Sequence, residues 1–372
     1  MRAAVLVEAG RPLEVRDVVL DPPRAGEVLV RVAAAGVCHT DLHLADGRLG
    51  EGRWPVVLGH EGAGTVEALG RGVEGLAPGD RVAFCFVPSC GTCRACAAGR
   101  ANLCETVLPA AWAGTLLDGT SRLRLAGGAP LMHFNFVSCF AEHCVVPAAS
   151  AVPLPDALPL WQAALVGCAV VTGVGAVRNA ARVAPGETVC VIGCGGVGLQ
   201  IVAGAGLAGA GRIVAVDPDP AKLALAAARG ATDAVPAGPE AVAAVLALVP
   251  GGVDHAFEAV GQPATIRQAW DVLRPGATAI VVGIARLGAE VSLPALELLS
   301  EKGLRGSYYG SAHPAEEIGA LAGLVAAGEL PLADVVSHVT DLEGIEDGLA
   351  RLRAGEGART VAIMDAAAAG RD

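Results

Sequence analysis

Cys90, Cys93, Cys96 and Cys104 stand in a C-x2-C-x2-C-x7-C run. Four thiolates this close in sequence can close one tetrahedral zinc with no open position, which is a structural site. The C-x2-C-x2-C part also fits an iron–sulfur reading, against which stand Gly99-Arg100-Ala101-Asn102 and the absence of a proline after Cys104. Two other stretches, Gly36-Val37-Cys38-His39-Thr40-Asp41 and Gly59-His60-Glu61-Gly62, each set a metal-binding side chain beside a glycine-enabled turn. Cys168 lies in Gly167-Cys168-Ala169-Val170-Val171-Thr172-Gly173. Two cysteines and one histidine make a Cys2His zinc set whose fourth position stays open for water or substrate. Spacing alone does not single out this trio. Cys168 also fits a core cysteine, and His60 a satisfied loop histidine.

A second kind of chemistry is written in Gly193-Cys194-Gly195-Gly196-Val197-Gly198, which follows an apolar run and opens a small-residue segment. In G-x-G-x-x-G, Gly193 makes a tight turn, Gly195 admits a pyrophosphate close to the backbone, and Gly198 packs helix on strand. The helix that starts here aims free N–H groups and its positive dipole end at the phosphates. A further apolar run, 213–217, ends in Asp217, at the offset expected of the acid that holds a ribose 2′-hydroxyl. A carboxylate there repels a 2′-phosphate, and no arginine follows it, so the expected cofactor is NAD rather than NADP.

These residues need elements to hold them. Up to about residue 153 the pattern is short β-like runs (3–7, 27–33, 62–69, 81–86, 140–146) broken by turns such as Pro22-Pro23, Pro78-Gly79-Asp80 and Gly127-Gly128, which suggests an all-β unit of barrel type. From about Trp161 helix and strand alternate, with strands expected at 187–192, 213–217, 253–258, 277–282 and 303–308, the signature of a doubly wound parallel sheet. After Gly310 come a helix, a short strand near 335–339, another helix and a last strand at 360–364. Whether this tail returns to the first unit is left open by the residues alone.

The chain has 372 residues, 53% of them hydrophobic, enough for two domains with ample core. A net charge of −11 argues against a nucleic-acid surface, which needs clustered cations. Two uncharged stretches, 157–177 and 189–211, approach the length of a bilayer span of about 20 residues. Both are rich in Gly and Ala and lack basic flanks on one side, so buried α/β core is the better reading and no membrane is expected. The apolar run at the N-terminus is too short for a signal peptide, which points to a cytoplasmic protein. Eleven cysteines in that setting fit metal or redox chemistry better than disulfides.

Taken together, G-x-C-H-T-D at 36–41, G-H-E-G-x-G at 59–64, the four-cysteine lobe, G-C-x-x-x-T-G at 167–173 and G-x-G-G-V-G at 193–198 resemble the zinc-dependent medium-chain alcohol dehydrogenases over essentially the whole length. The resemblance implies an α/β protein: a GroES-like β-barrel catalytic domain, 1–170, with a structural zinc lobe at 85–105, completed by 309–372, and a Rossmann NAD-binding domain, 171–308. It implies two zinc ions per chain, one held by Cys38, His60 and Cys168 and one by Cys90, Cys93, Cys96 and Cys104. Glu61 would stand behind the first as a transient ligand, and Asp41 would orient His60. Thr40 would take the alcohol proton and His43 pass it to solvent. His39 and Arg359 would contact the coenzyme pyrophosphate and Lys222 a ribose, with Thr172 and the loop Gly193, Gly195, Gly196, Val197 and Gly198 completing the coenzyme site. Lys222 alone reads as a solvated helix charge, Thr40 as a turn hydroxyl and His43 as a surface histidine.

The insertion 108–137 resembles the longer members of the family, including the glutathione- or mycothiol-linked formaldehyde dehydrogenases, which favours a homodimer over a tetramer. In the glutathione-linked branch an arginine follows the fourth lobe cysteine, where Leu108 stands here, and His43 replaces an aromatic residue. Both departures weaken the thiol-adduct reading. Phe86, Leu49 and Phe134 match pocket-lining positions and suggest an apolar slot for a primary alcohol or aldehyde, although ordinary core packing explains each equally well. The expected reaction is zinc-assisted hydride transfer between a primary or secondary alcohol and NAD. Its rivals are the thiol-dependent formaldehyde dehydrogenase and a non-catalytic zinc-lobe module joined to a nucleotide-sensing unit. Cys85, Cys139, Cys144, Cys190 and Cys194 have no assigned role and default to buried structural thiols.

Overall fold

The computed structural model describes residues 1–49 and 54–370. Two compact units emerge: Met1–Cys168 together with His313–Asp372, and Ala169–Ala312. The chain leaves the first unit, builds the second, and returns.

The spine of the first unit is the strand Glu27–Val37, whose run of Val, Leu and Ala is buried on both faces at its end. It pairs antiparallel with Glu61–Leu69, His143–Pro147 and Arg359–Ile363. The last of these comes from the tail, so the sheet runs Ala151–Pro153, Arg81–Phe84, Glu61–Leu69, Glu27–Val37, Arg359–Ile363, Val336–Thr340. A second sheet of five strands starts from Arg2–Leu6 and Glu14–Leu20 and includes Leu123–Leu125 and Met132–His133 from the insertion. Glu14–Leu20 was not anticipated. Its sequence E-V-R-D-V-V-L exposes most of its side chains, so it lacks the apolar run that marks a buried strand.

The second unit is a six-stranded parallel sheet in the order Asp233–Pro236, Arg212–Asp217, Thr188–Ile192, Val253–Glu258, Leu273–Val281, Gly303–Gly306. Its central strands read V-C-V-I and I-V-A-V because parallel strands covered by helices are buried on both faces. Asp233–Pro236, four residues at the edge and closed by a proline, carries too little of that signal to be read in advance.

Both membrane-like stretches are core. The first is a helix, Leu160–Ala181, with 89% of its most apolar window buried. The second divides into the strand Thr188–Ile192 and the helix Gly196–Leu207.

Candidate metal and dinucleotide sites

Cys38 ends the long strand and caps the helix His39–Ala45. Asp41, fully buried in the first turn of that helix, reaches back to accept from the Cys38 N–H at 3.1 Å. Its other oxygen accepts from the Gly59 N–H at 3.0 Å and meets His60 Nδ1 at 3.2 Å. One carboxylate therefore fixes the turn that carries His60 and the face its ring presents. Gly59 is required in that turn: its φ is +88°, and an added Cβ would stand 2.6 Å from Phe140.

Cys168 arrives from the helix that starts at Leu160, in a π-helical stretch, Val166–Val170. Such widened turns recur at functional sites. Gly167 lets this backbone lie so close to the barrel that a Cβ on it would be 2.0 Å from the Phe84 carbonyl oxygen. As a result Cys168 Sγ lies 3.4 Å from His60 Nε2, and the ligand atoms of Cys38, His60 and Cys168 all fall within 4.8 Å of one another. The Cys168 thiol, donating a hydrogen bond, draws Cys38 well below the usual thiol range; burial opposes this and the Arg359 charge assists it.

Thr40 Oγ1 sits 3.7 Å from Cys38 Sγ. His43 follows one helical turn later, half-buried, its ring 6.2 Å from that of exposed His39. Burial, with the charges of His39 and Arg48, holds the His43 imidazole below its ordinary pKa. Phe86 and Phe134 set their rings edge-on to His60, with centroids 5.3 and 5.4 Å away. Leu49 is half-buried. Glu61 is buried against Arg359, whose Nη1 lies 3.1 Å from Glu61 Oε2 and also donates to the Val37 carbonyl.

The lobe cysteines form a second cluster, again with all four sulfurs within 4.8 Å of one another. Backbone N–H groups point at the sulfurs: Cys93 N to Cys90, Glu105 N to Cys93 and Cys90 N to Cys104, at 3.3–3.4 Å. Hydrogen bonds from the Thr106 hydroxyl and from backbone groups bring Cys90 down to about 5, whereas burial pushes Cys96 up to about 12.

In the second unit the glycine loop leaves the strand Thr188–Ile192 and enters the helix Gly196–Leu207, with Gly195, Gly196 and Val197 half-exposed. Gly198 packs so closely that a Cβ on it would be 1.8 Å from the Gly193 carbonyl oxygen. Asp217 closes the next strand and braces the loop, accepting from Cys194 N at 2.7 Å and from Asp219 N at 2.9 Å. Lys222 is half-buried on the helix Pro220–Ala228, and Thr172 is half-buried in Val171–Gly175.

Residues 24–156 match the family described as alcohol dehydrogenase GroES-like domain, and residues 196–326 the family described as zinc-binding dehydrogenase. An S-(hydroxymethyl)glutathione dehydrogenase from Photobacterium damsela subsp. piscicida is 38% identical over 364 residues, covering 97% of this chain and 98% of that one. The chain belongs to the zinc-dependent medium-chain alcohol dehydrogenases. A zinc-binding-domain alcohol dehydrogenase from Burkholderia ambifaria superposes with a TM-score of 0.93 at 37% identity, over 98% of both chains. Benzyl alcohol dehydrogenase from Acinetobacter calcoaceticus does so at 0.91 and 31%, over 98% of this chain and 99% of the other. The protein is thus an oxidoreductase of this family, built from a GroES-like barrel and a Rossmann unit.

Two donor sets in this dehydrogenase fit zinc by their chemistry: four converged sulfurs receiving N–H bonds, and two sulfurs facing Nε2 of a histidine whose Nδ1 is anchored by Asp41. The sequence reading missed what fastens the insertion. Arg122, fully buried, pairs with Glu27 and Asp118, each at 2.6 Å. Its backbone N–H donates to Nε2 of buried His133, the neighbour of Phe134. Nothing in Asp118-Gly119-Thr120-Ser121-Arg122 distinguishes a buried arginine from a surface one.

Proposed function

We propose that this protein is a cytoplasmic, homodimeric, zinc- and NAD-dependent dehydrogenase of apolar primary alcohols and their aldehydes. The observation that carries the reading is the meeting of Cys38, His60 and Cys168 beneath two phenylalanine rings. Cys38, His60 and Cys168 would hold the catalytic zinc, and Cys90, Cys93, Cys96 and Cys104 the structural one. When bound, zinc supplies Lewis acidity to the substrate oxygen and the nicotinamide supplies the hydride acceptor.

The rest falls to the chain. Asp41 holds Nδ1 of His60, so Nε2 faces the site. Thr40 offers a hydroxyl beside Cys38 to take the alcohol proton, and His43, kept neutral by burial, receives it towards solvent. Phe86 and Phe134 exclude water and favour an apolar substituent. Asp217, Lys222, Thr172, His39, Arg359 and the loop Gly193–Gly198 would bind and orient NAD. Glu61, neutralised by Arg359, stands ready behind the ligands.

A second reading, oxidation of a thiol adduct of formaldehyde, is favoured by the S-(hydroxymethyl)glutathione dehydrogenase relative. One panel separates the two: alcohols and aldehydes with NAD or NADP, with and without glutathione or mycothiol. Thiol-free turnover of benzyl-type and longer primary alcohols with NAD is expected. Activity appearing only with thiol would select the second reading, and preference for NADP would remove the role given to Asp217. Metal analysis should find two zinc ions per chain, where one would count against the paired sites.

A further inference from the structure

Asp41 fixes His60 at one atom, Nδ1, over 3.2 Å, and shares its carboxylate with the N–H groups of Cys38 and Gly59. A single hydrogen bond holds a ring nitrogen in place but leaves the ring free to tilt about it. The tilt is set by contact with Phe86 and Phe134, whose rings stand at 84° and 86° to the imidazole.

Phe134 opens a turn in which Asn135, Phe136 and Ser138 all take positive φ, 49°, 64° and 53°. Non-glycine residues pay for that region, and a phenylalanine in it is an outlier. Such a turn persists only where its surroundings over-determine it, and strain of this kind collects at functional sites. From Phe136 to Phe140 the segment is fully buried. Phe134 N donates to Ser138 Oγ at 2.9 Å, and the Phe134 carbonyl accepts from Val137 N at 3.0 Å and Ser138 N at 3.3 Å. Upstream, His133 N donates to the Gly114 carbonyl at 2.8 Å, and His133 Nε2 accepts from the N–H of buried Arg122. Downstream, Cys139 N donates to the Gly59 carbonyl at 3.0 Å and Phe140 N to the Leu58 carbonyl at 3.1 Å. The turn therefore reaches His60 twice, through the Phe134 ring at its entry and through Gly59, the residue before His60, at its exit. Ser138 Oγ ties entry to exit.

We infer that Ser138 is a positioning residue for the histidine ligand: by closing this turn it fixes Phe134 against His60 and sets the direction in which Nε2 meets a metal ion. An imidazole aimed in advance releases its metal slowly, because Nε2 is not free to swing away. The inference rests on Cys38, His60 and Cys168 holding zinc.

Zinc transfer from the fully loaded protein to the chelating dye pyridylazoresorcinol tests it, with the four-cysteine lobe as a control inside the same chain. The Cys168→Ser protein, which retains the lobe ion, assigns the two phases. Ser138→Ala orphans the Phe134 N–H and is expected to speed zinc loss from the three-ligand site about tenfold or more, the lower end of what removing a group behind a metal ligand costs in affinity. Release from the lobe should not change. Ser138→Gly loses the same acceptor but relieves the positive φ at its own position. A role in folding alone would let it hold zinc like the wild type, whereas the positioning role predicts the acceleration seen in Ser138→Ala. Phe134→Leu removes the ring, is expected to accelerate release likewise, and decides alone should neither Ser138 variant fold. Wild-type release in Ser138→Gly or Phe134→Leu, or equal acceleration from both sites, overturns the inference while the zinc reading stands. Wild-type protein that holds a single zinc ion overturns both.

Discussion

Cys168 is buried and contributes little volume beyond its sulfur, so exchanging that sulfur should separate catalysis from folding. Cys168→Ser is expected to lower kcat/KM at least about a thousandfold, since Lewis-acid assistance is worth several kcal/mol. Its Tm should stay within about 4 °C of wild type. Normal turnover in this variant would remove Cys168 from the site. His133 offers a pH test. Burial, with the charge of Arg122, lowers its pKa to about 3, against about 6.5 in an unfolded chain. The unfolded chain then binds the extra proton first, so this stabilisation is complete above about pH 6.5 and is lost as pH falls towards 3. His133→Asn should flatten the dependence of Tm on pH between about 6.5 and 5, and an unchanged profile would show that the imidazole is not held neutral. The types of the trio Cys38, His60 and Cys168 were visible in the sequence, but their convergence followed only from the family resemblance and not from their spacing. Cys168 is 108 residues from His60, and only the sheet and the helix that starts at Leu160 bring them together. His133 and Arg122 gave no sign at all, because what matters about them is burial.

Local elements were most legible where one period ruled them. Strand, glycine loop, helix, strand and acid follow each other in the second unit as G-x-G-x-x-G demands, and the structure adds the reason Gly198 admits no side chain. Gly198→Ala should push the helix Gly196–Leu207 off its strand and weaken NAD binding about a hundredfold or more, read by calorimetry, because the N–H groups proposed to meet the pyrophosphate would lose their alignment. Unaltered affinity would mean that the loop absorbs a Cβ. The short strands of the insertion were not among the strands expected from the sequence. Leu123–Leu125 and Met132–His133 have three and two residues, and their place is set by partners such as Glu14–Leu20, itself half-solvated. Pairing of that kind is decided by tertiary contact rather than by pattern.

At the scale of the whole molecule the second unit exposes Leu287, Leu296 and Leu299, each at least 73%, and its sheet ends in the edge strand Gly303–Gly306. Exposed leucines and an open strand edge are each a hazard unless another surface covers them. A second copy is the expected cover, and light scattering of the wild type should give a dimer, with Leu299→Glu shifting it to monomer. A wild-type monomer would leave those leucines without an explanation. The interrupted first unit has a different consequence. All seven residues assigned to zinc precede Ala169, yet the strand Arg359–Ile363 seals Glu27–Val37, and Arg359 supplies a counter-charge beside buried Glu61. A message cut short after Ala312 would encode every donor atom and still yield a barrel with an open seam and a buried carboxylate stripped of that cation. Premature stop codons far downstream of the last ligand should therefore be as damaging as losing a ligand itself.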